Sequence, residues 1–94
     1  MVYTLQSEGT GLIMTLDRVE LRIATRVVSI DGGQQVRAHL NTLGIHVGDE
    51  ITVVERAPFR GPVLVEIHGS RVALGRGIAA KVTVGTVVRQ AELG

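Results

Sequence analysis

The sequence predicts a mainly β domain, a small barrel of about five short strands with one short helix inserted after the first strand and a helical turn before the last. Hydrophobic residues form 45% of the chain, and nearly all of them are Val, Ile, Leu and Ala, which indicates a globular core rich in β-branched side chains. They occur in short runs separated by Gly and Pro, a spacing typical of small all-β domains. A barrel is favoured because closure leaves a Val-rich sheet without an exposed edge.

One helix interrupts the series of strands. Residues 22–30 are rich in β-branched side chains and predict the first strand. In residues 34–43 the apolar positions change to a helical spacing, and these positions are Val36, Leu40 and Leu43. Asp31 is predicted to cap the start of this helix, and Gly44 suits the left-handed position that ends many helices.

Turn residues separate the later strands. These strands are predicted at residues 50–56, 63–68, 71–74 and 81–88. Pro58 and Pro62 bar regular pairing in the loop between the first two of these segments. Gly69-Ser70 predicts a type II′ hairpin turn, and Ile78–Ala80 predicts one helical turn before the last strand.

A chain of 94 residues has the size of one domain. Residues 1–13 have a weak pattern and predict a loosely ordered leader, so that the domain proper extends over residues 14–94. An extra edge strand at Val2–Leu5 is the alternative for the leader. No apolar run approaches the ~18–20 residues that span a bilayer, and the N-terminus lacks the pattern of a signal peptide, so we expect a cytoplasmic protein.

Composition excludes several classes of function. The chain has no cysteine, which excludes disulfides, zinc ribbons and thiol catalysis. A net charge of +1 and an aromatic content of 2% do not provide the basic groove and stacking rings of a nucleic-acid binder. A small barrel filled by its own side chains leaves little room for a substrate pocket. We therefore predict neither an enzyme nor a bound cofactor.

Candidate catalytic and metal-binding side chains are scattered along the sequence. The histidines are His39, His46 and His68. They occur at no spacing typical of metal ligands, and a surface site would need to combine His46 with Asp49. The glutamates of the predicted strands are expected to be solvent-facing charges. The sequence therefore predicts no catalytic residue and no metal ligand.

A longer motif surrounds the predicted helix. It reads Leu40-x-x-Leu43-Gly44-Ile45-x-x-Gly48, then Ile51-x-Val53-Val54-x-x-Ala57-Pro58, then Gly61-Pro62 and Val65-x-Ile67-x-Gly69. In order and spacing these residues resemble the FeoA family, and the resemblance extends from Leu16 to Val84. Three positions depart from the usual pattern of the family, and they are Leu21-Arg22, His39 and Gly75.

The resemblance implies an SH3-like barrel encoded with the ferrous iron transporter FeoB, a membrane protein with a cytosolic GTP-binding domain. It further implies an accessory or regulator that docks on the cytosolic face of that transporter and does not enter the membrane itself. The resemblance leaves open whether the protein also forms a weak homo-oligomer. The same fold occurs as the C-terminal domain of iron- and manganese-dependent repressors. The alternative is therefore a free-standing metal-responsive sensor, or an SH3-like domain related to those repressors.

A partner-binding surface is predicted around the loop that contains the two prolines. Its candidate residues are Arg56, Ala57, Pro58, Phe59, Arg60, Leu74 and Arg76. Phe59 is the one aromatic residue of the predicted domain, and aromatic and Arg side chains are the usual anchors of protein interfaces. The alternative is that Phe59 plugs one end of the barrel.

Overall fold

The computed structural model describes residues 8–89 of the chain. In chain order the elements are β1 (Glu8–Thr15), β2 (Thr25–Ile30), α1 (Gly33–Thr42), β3 (Glu50–Arg56), β4 (Val63–Ile67), β5 (Ser70–Leu74), α2 (Arg76–Ala79) and β6 (Val82–Arg89). The prediction of a mainly β domain is confirmed, and so are the positions of the helix and of the helical turn. Neither helix in this part of the chain is long and apolar enough to cross a membrane.

The strands form one antiparallel sheet in the order β1-β6-β2-β3-β4-β5. Its two halves are joined narrowly, because β2 and β3 pair only through Thr25 with Ile51 and Arg26 with Glu50. The predicted closure of the barrel is not observed, since β1 and β5 are edge strands that do not pair with each other. Closure fails because β6 already pairs along both edges, with β1 and β2, and leaves β5 with β4 as its partner.

β1 corrects the predicted extent of the leader. Residues 8–13 were expected to be loosely ordered, but they pair with β6 in a register that places Glu8 opposite Arg89. The ordered domain therefore begins before residue 14. The alternative strand at Val2–Leu5 lies outside the described residues, and the remainder of the division into leader and domain stays a prediction.

A bulge explains why the sequence conceals this strand. The register of β1 shifts between Thr10 and Ile13, so its side chains do not alternate regularly. Within the bulge, the N–H of Leu12 donates to Oγ1 of Thr86 at 2.9 Å. A Cβ at Gly11 would collide with that same oxygen, so a larger residue here would have to displace the hydroxyl of Thr86 and disturb this hydrogen bond.

α1 ends as the sequence predicts but begins differently. Gly44 has a φ of +88°, and the N–H of Ile45 donates to the carbonyl oxygen of Leu40 at 2.9 Å, as in a Schellman motif. Leu40 and Ile45 are fully buried, which fixes this end of the helix to the core. The N-cap is Gly32, with a φ of 99°, and no side chain caps the helix. The predicted cap at Asp31 is therefore wrong by one residue.

The turn between β4 and β5 also differs from the prediction. Ile67 pairs with Ser70, so the central residues of the turn are His68 and Gly69, with φ values of 51° and 78°. Two successive positive φ angles define a type I′ turn rather than type II′, and His tolerates this conformation better than most residues. As a result, His68 lies at the tip of the hairpin rather than in a strand.

The core combines both halves of the sheet with α1. Its largest fully buried side chains are Leu16, Val19, Val27, Leu40, Ile45, Ile51, Val53, Val63, Val65, Leu74, Val82 and Val84. No aromatic ring belongs to this core among the described residues. The packing therefore depends on aliphatic side chains, and the single Phe of the chain is left for another role.

Candidate functional site

The loop between β3 and β4 presents Phe59 to solvent. The N–H of Ala57 donates to the carbonyl oxygen of Pro62 at 3.0 Å and closes the base of the loop. The N–H of Gly61 donates to the carbonyl oxygen of Pro58, also at 3.0 Å, and closes a tight turn at the tip. Phe59 lies in this turn with 98% of its surface exposed. The alternative that Phe59 plugs the barrel is therefore wrong.

The turn holds Phe59 in a strained backbone conformation. Phe59 and Arg60 have φ values of 59° and 60°, so both central residues of a type I′ turn are left-handed. Such turns usually carry Asn-Gly, because a left-handed conformation costs a residue with a bulky side chain roughly 1–2 kcal/mol. Strain of this kind is common where a loop has a binding role. The sequence therefore keeps an exposed aromatic ring and an exposed guanidinium at a cost in stability.

Replacing Phe59-Arg60 by Asn-Gly is expected to raise the free energy of unfolding by about 1 kcal/mol, because the new residues fit the type I′ turn. Chemical denaturation of the wild-type and double-variant proteins measures the difference. The control is Phe59→Ala alone, which keeps a side chain at a left-handed position. Equal stability of all three proteins would contradict a strained turn.

Two further arginines lie at the base of this loop. Arg76, the first residue of α2, directs Nη2 to the carbonyl oxygen of Ala57 at 3.4 Å and Nη1 to that of Asp17 at 3.5 Å. Both distances are at the outer limit of hydrogen bonding. Arg56 ends β3 and is half-buried directly before the loop. Its Nε and Nη2 atoms, and Nε of Arg76, are buried without a hydrogen-bond acceptor.

The structure separates the candidates for the partner-binding surface into two groups. Pro58, Phe59 and Arg60 are exposed, and half-buried Ala57 joins them to the two arginines at the base. Leu74 is only 2% exposed and belongs to the core, so it cannot contact a partner of the folded protein. The pleat of β5 directs its side chain inward, and its register partner is Val63 of β4.

A second polar cluster forms around Asp49, at the start of β3. Its Oδ2 accepts the N–H of His46 at 2.8 Å, and Nδ1 of the same histidine lies 3.3 Å away. Nε2 of His68 approaches this oxygen to 3.5 Å. The sequence suggested His46 with Asp49, but it missed His68, because the hairpin turn that brings His68 to this point was predicted one residue further along.

These contacts lower the pKa of Asp49 below its ordinary value of 3.8. Burial alone acts in the opposite direction and raises the pKa, since it disfavours the charged carboxylate. The backbone N–H of His46 and the two imidazoles outweigh this effect because they stabilise the negative charge. Through its contacts with both histidines, the Asp49 carboxylate therefore links the turn after α1 to the β4–β5 hairpin.

The arrangement at Asp49 does not amount to a metal centre. Within residues 8–89, no group of three or more His, Asp or Glu side chains is arranged to hold a metal ion. The nearby surface groove is lined by Glu50, Thr52, Glu66, Ile67, His68 and Gly69. Its two glutamates form ion pairs, Arg26 with Glu50 at 3.8 Å and Arg71 with Glu66 at 3.6 Å. Among the described residues, the β3–β4 loop is therefore the stronger candidate for the functional site.

Comparison with known proteins identifies the family. The FeoA domain family matches residues 14–85, which is more than half of the chain. The chain belongs to the FeoA family. A relative from Methanocaldococcus jannaschii, provisionally named Fe(2+) transport protein A, is 36% identical over 58 residues, which are 62% of this chain and 68% of the relative. The family is therefore associated with ferrous iron transport.

Solved structures of FeoA proteins have the same fold. An iron uptake regulatory protein (FeoA) aligns with a TM-score of 0.73 and 30% identity, over 82% of this chain and 100% of that chain. The FeoA protein of Chlorobium tepidum aligns with a TM-score of 0.70 and 27% identity, over 78% of this chain and 70% of that one. The SH3-like fold implied by the sequence is confirmed in this form, as an open sheet.

The fold also occurs inside larger metal-dependent repressors. A manganese-dependent transcriptional repressor aligns with a TM-score of 0.73 and 23% identity, over 83% of this chain but 44% of the repressor. At this identity the likeness concerns the fold alone. It does not by itself transfer a metal or a DNA site to this FeoA-family chain.

Replacing Asp49 by Ala is expected to lower the free energy of unfolding at neutral pH by about 1 kcal/mol, through loss of the bonds to both histidines. The folded pKa lies below 3.8, so this stabilisation is complete above pH 3.8 and is lost as the pH falls through the folded pKa. The difference in the free energy of unfolding between the wild-type and Asp49→Ala proteins should therefore disappear in acid. Chemical unfolding across that pH range measures it.

Asp31→Ala is the matched control for this experiment. Asp31 is exposed, and in the described part of the chain its carboxylate has no hydrogen bond or ion pair. Its replacement should change stability by no more than ~0.5 kcal/mol and should leave the pH dependence intact. If Asp49→Ala lowered the free energy of unfolding by the same amount in acid as at neutral pH, the stabilising role of the Asp49 carboxylate would be contradicted.

Proposed function

We propose that this FeoA-family protein is a non-enzymatic accessory of ferrous iron transport that docks on the cytosolic part of a FeoB-type transporter. It acts in the cytoplasm as a regulatory binding module. Any effect on transport arises because the module binds some states of the transporter more tightly than others. The family's association with Fe(2+) transport supports the setting.

The observation that carries the proposal is the exposure of Phe59. A ring that is 98% exposed contributes nothing to the core, and a core without aromatics would benefit from burying it. The ring stands instead on a strained turn beside Arg60, and aromatic and Arg side chains dominate the energetic centres of protein interfaces. The loop therefore has the composition of a docking element, and two backbone hydrogen bonds close the turn that presents it.

The direct test is binding of the full chain to the cytosolic part of the FeoB-type transporter from the same organism, with and without guanine nucleotide. Isothermal titration calorimetry should show saturable binding, with an affinity that depends on the nucleotide state. Absence of binding in every nucleotide state, and also with the complete transporter in detergent, would overturn the proposal.

A second candidate function is a metal-responsive sensor, and the cluster at Asp49 is the observation that favours it. Imidazole and carboxylate groups are ligands that zinc and other transition metals accept, although their present arrangement is not a metal site. Thermal unfolding in the presence of Fe²⁺, Mn²⁺ or Zn²⁺ tests the candidate, since a ligand of the folded state raises the midpoint. A rise that Asp49→Ala abolishes would support a sensor, and no rise would remove it.

A further inference from the structure

Three arginines lie on the loop that carries Phe59 or at its base, and none of them has a carboxylate partner among the described residues. Arg60 is exposed on the turn, and Arg56 and Arg76 are half-buried at the base of the loop. We call these three residues the arginine rim. Elsewhere in the described part of the chain, arginines of β2 and β5 form ion pairs with glutamates, but no ion pair includes a member of the rim. No carboxylate of the described residues therefore neutralises the positive charge of the rim.

The rim also holds hydrogen-bond donors that the fold does not use. Nε and Nη2 of Arg56 are the two donors on one edge of its guanidinium, and both lack an acceptor. Both atoms are shielded from solvent, so a partner's carboxylate cannot reach this edge in the conformation described. Nε of Arg76 likewise lacks an acceptor, and its remaining contacts are long bonds to backbone carbonyls. Arg56 and Arg76 therefore act on a partner through their positive field, while exposed Arg60 can pair directly with a carboxylate.

The nearest acidic residues in the chain do not supply this group. One carboxylate oxygen of Asp17 accepts the hydroxyl of Thr15, and Arg76 reaches only the backbone oxygen of Asp17. Glu55 precedes Arg56 on β3, where neighbouring side chains point to opposite faces of the sheet. The field around Phe59 is therefore positive, and it favours a partner of opposite charge.

We propose that the β3–β4 loop docks on an acidic protein surface, with Phe59 in an apolar pocket, a carboxylate beside that pocket paired with Arg60, and the positive field of the arginine rim favouring the acidic surface. The inference rests on the proposed function and specifies the chemistry of the surface that the transporter presents. Charge complementarity of this kind speeds encounter and selects the partner, while the buried ring supplies most of the affinity.

The geometry favours a protein over an anionic membrane as this acidic surface. Two of the three rim arginines are half-buried at the base of the loop, so a flat bilayer would meet Arg60 and Phe59 alone. One ring and one charge give only weak membrane binding. A protein surface, in contrast, can enclose the ring in an apolar pocket and bind the planar guanidinium of exposed Arg60 through paired hydrogen bonds to a carboxylate.

The test compares Arg60→Glu with Arg37→Glu for binding to the cytosolic part of the transporter. Both arginines are exposed and both variants change the net charge equally, but Arg37 lies on α1, away from the loop. We expect Arg60→Glu to lower the affinity at least about tenfold and Arg37→Glu to leave it within about twofold, since only the former meets the acidic surface. Added salt should weaken wild-type binding more than binding of Arg60→Glu.

Each other outcome overturns the inference in a distinct way. Wild-type binding that neither Arg60→Glu nor salt affects would refute the acidic surface but leave the docking function standing. No wild-type binding would refute both. Co-sedimentation with phosphatidylglycerol vesicles that Arg60→Glu abolishes, together with unchanged binding of that variant to the transporter, would identify a membrane instead of a protein. Thermal unfolding of each variant confirms that its fold is intact.

Discussion

Replacing Leu74 by Ala is expected to lower the free energy of unfolding by about 2–5 kcal/mol. Leu74 is 2% exposed and packs in the aliphatic core from the edge strand β5. The change removes buried methyl groups and leaves a cavity, because its neighbours on the strongly paired strand β4 cannot collapse freely. For a domain of this size, each kcal/mol lowers the midpoint of thermal unfolding by roughly 4–8 °C.

Leu12→Ala is the matched control, because it makes the same chemical change where the side chain is 69% exposed. Its expected cost is no more than ~0.5 kcal/mol. Thermal and chemical unfolding of both variants measure the contrast. A Leu74→Ala protein with wild-type stability but impaired binding to the transporter would contradict a role of Leu74 in the core and would support the contact role that the sequence suggested.

The helix and its end were predictable because local chemistry determines them. Leu40 and Leu43 lie at helical spacing, and Gly44 follows at the position where a left-handed residue is needed. The strand β1 was not predictable in this way. Its two glycines and its bulge remove the alternating pattern, and it forms because β6 offers an edge that is distant in sequence.

The candidate functional site, like the fold, was predictable only in part. Phe59 and its flanking arginines could be selected from the sequence, because a single Phe beside Arg in an otherwise aliphatic domain is typical of an interface anchor. Whether Phe59 is exposed depends on the turn that holds it, and a positive φ at Phe and Arg has no signal in the sequence. Leu74 was assigned to the surface wrongly, because the face of the sheet that it occupies depends on the register of β5 with β4, which the sequence motif does not show.

Replacing Phe59 by Ala is expected to weaken binding to the transporter by at least about 2 kcal/mol, which is about thirtyfold in Kd. The expected change in the free energy of unfolding is no more than ~0.5 kcal/mol, because a ring that is 98% exposed makes little contact with its own domain. Calorimetric titration and thermal unfolding of the same sample separate the two effects.

Val47→Ala is the control for Phe59→Ala. Val47 lies in the turn after α1 with 57% of its surface exposed, so both variants remove apolar surface from solvent-facing loops. Only the loss of Phe59 should affect the affinity, because only Phe59 combines an aromatic ring with the arginine rim on a rigid turn. Wild-type affinity of both variants would move the docking surface away from the β3–β4 loop. Equal losses would instead indicate a broad apolar contact that includes the turn after α1.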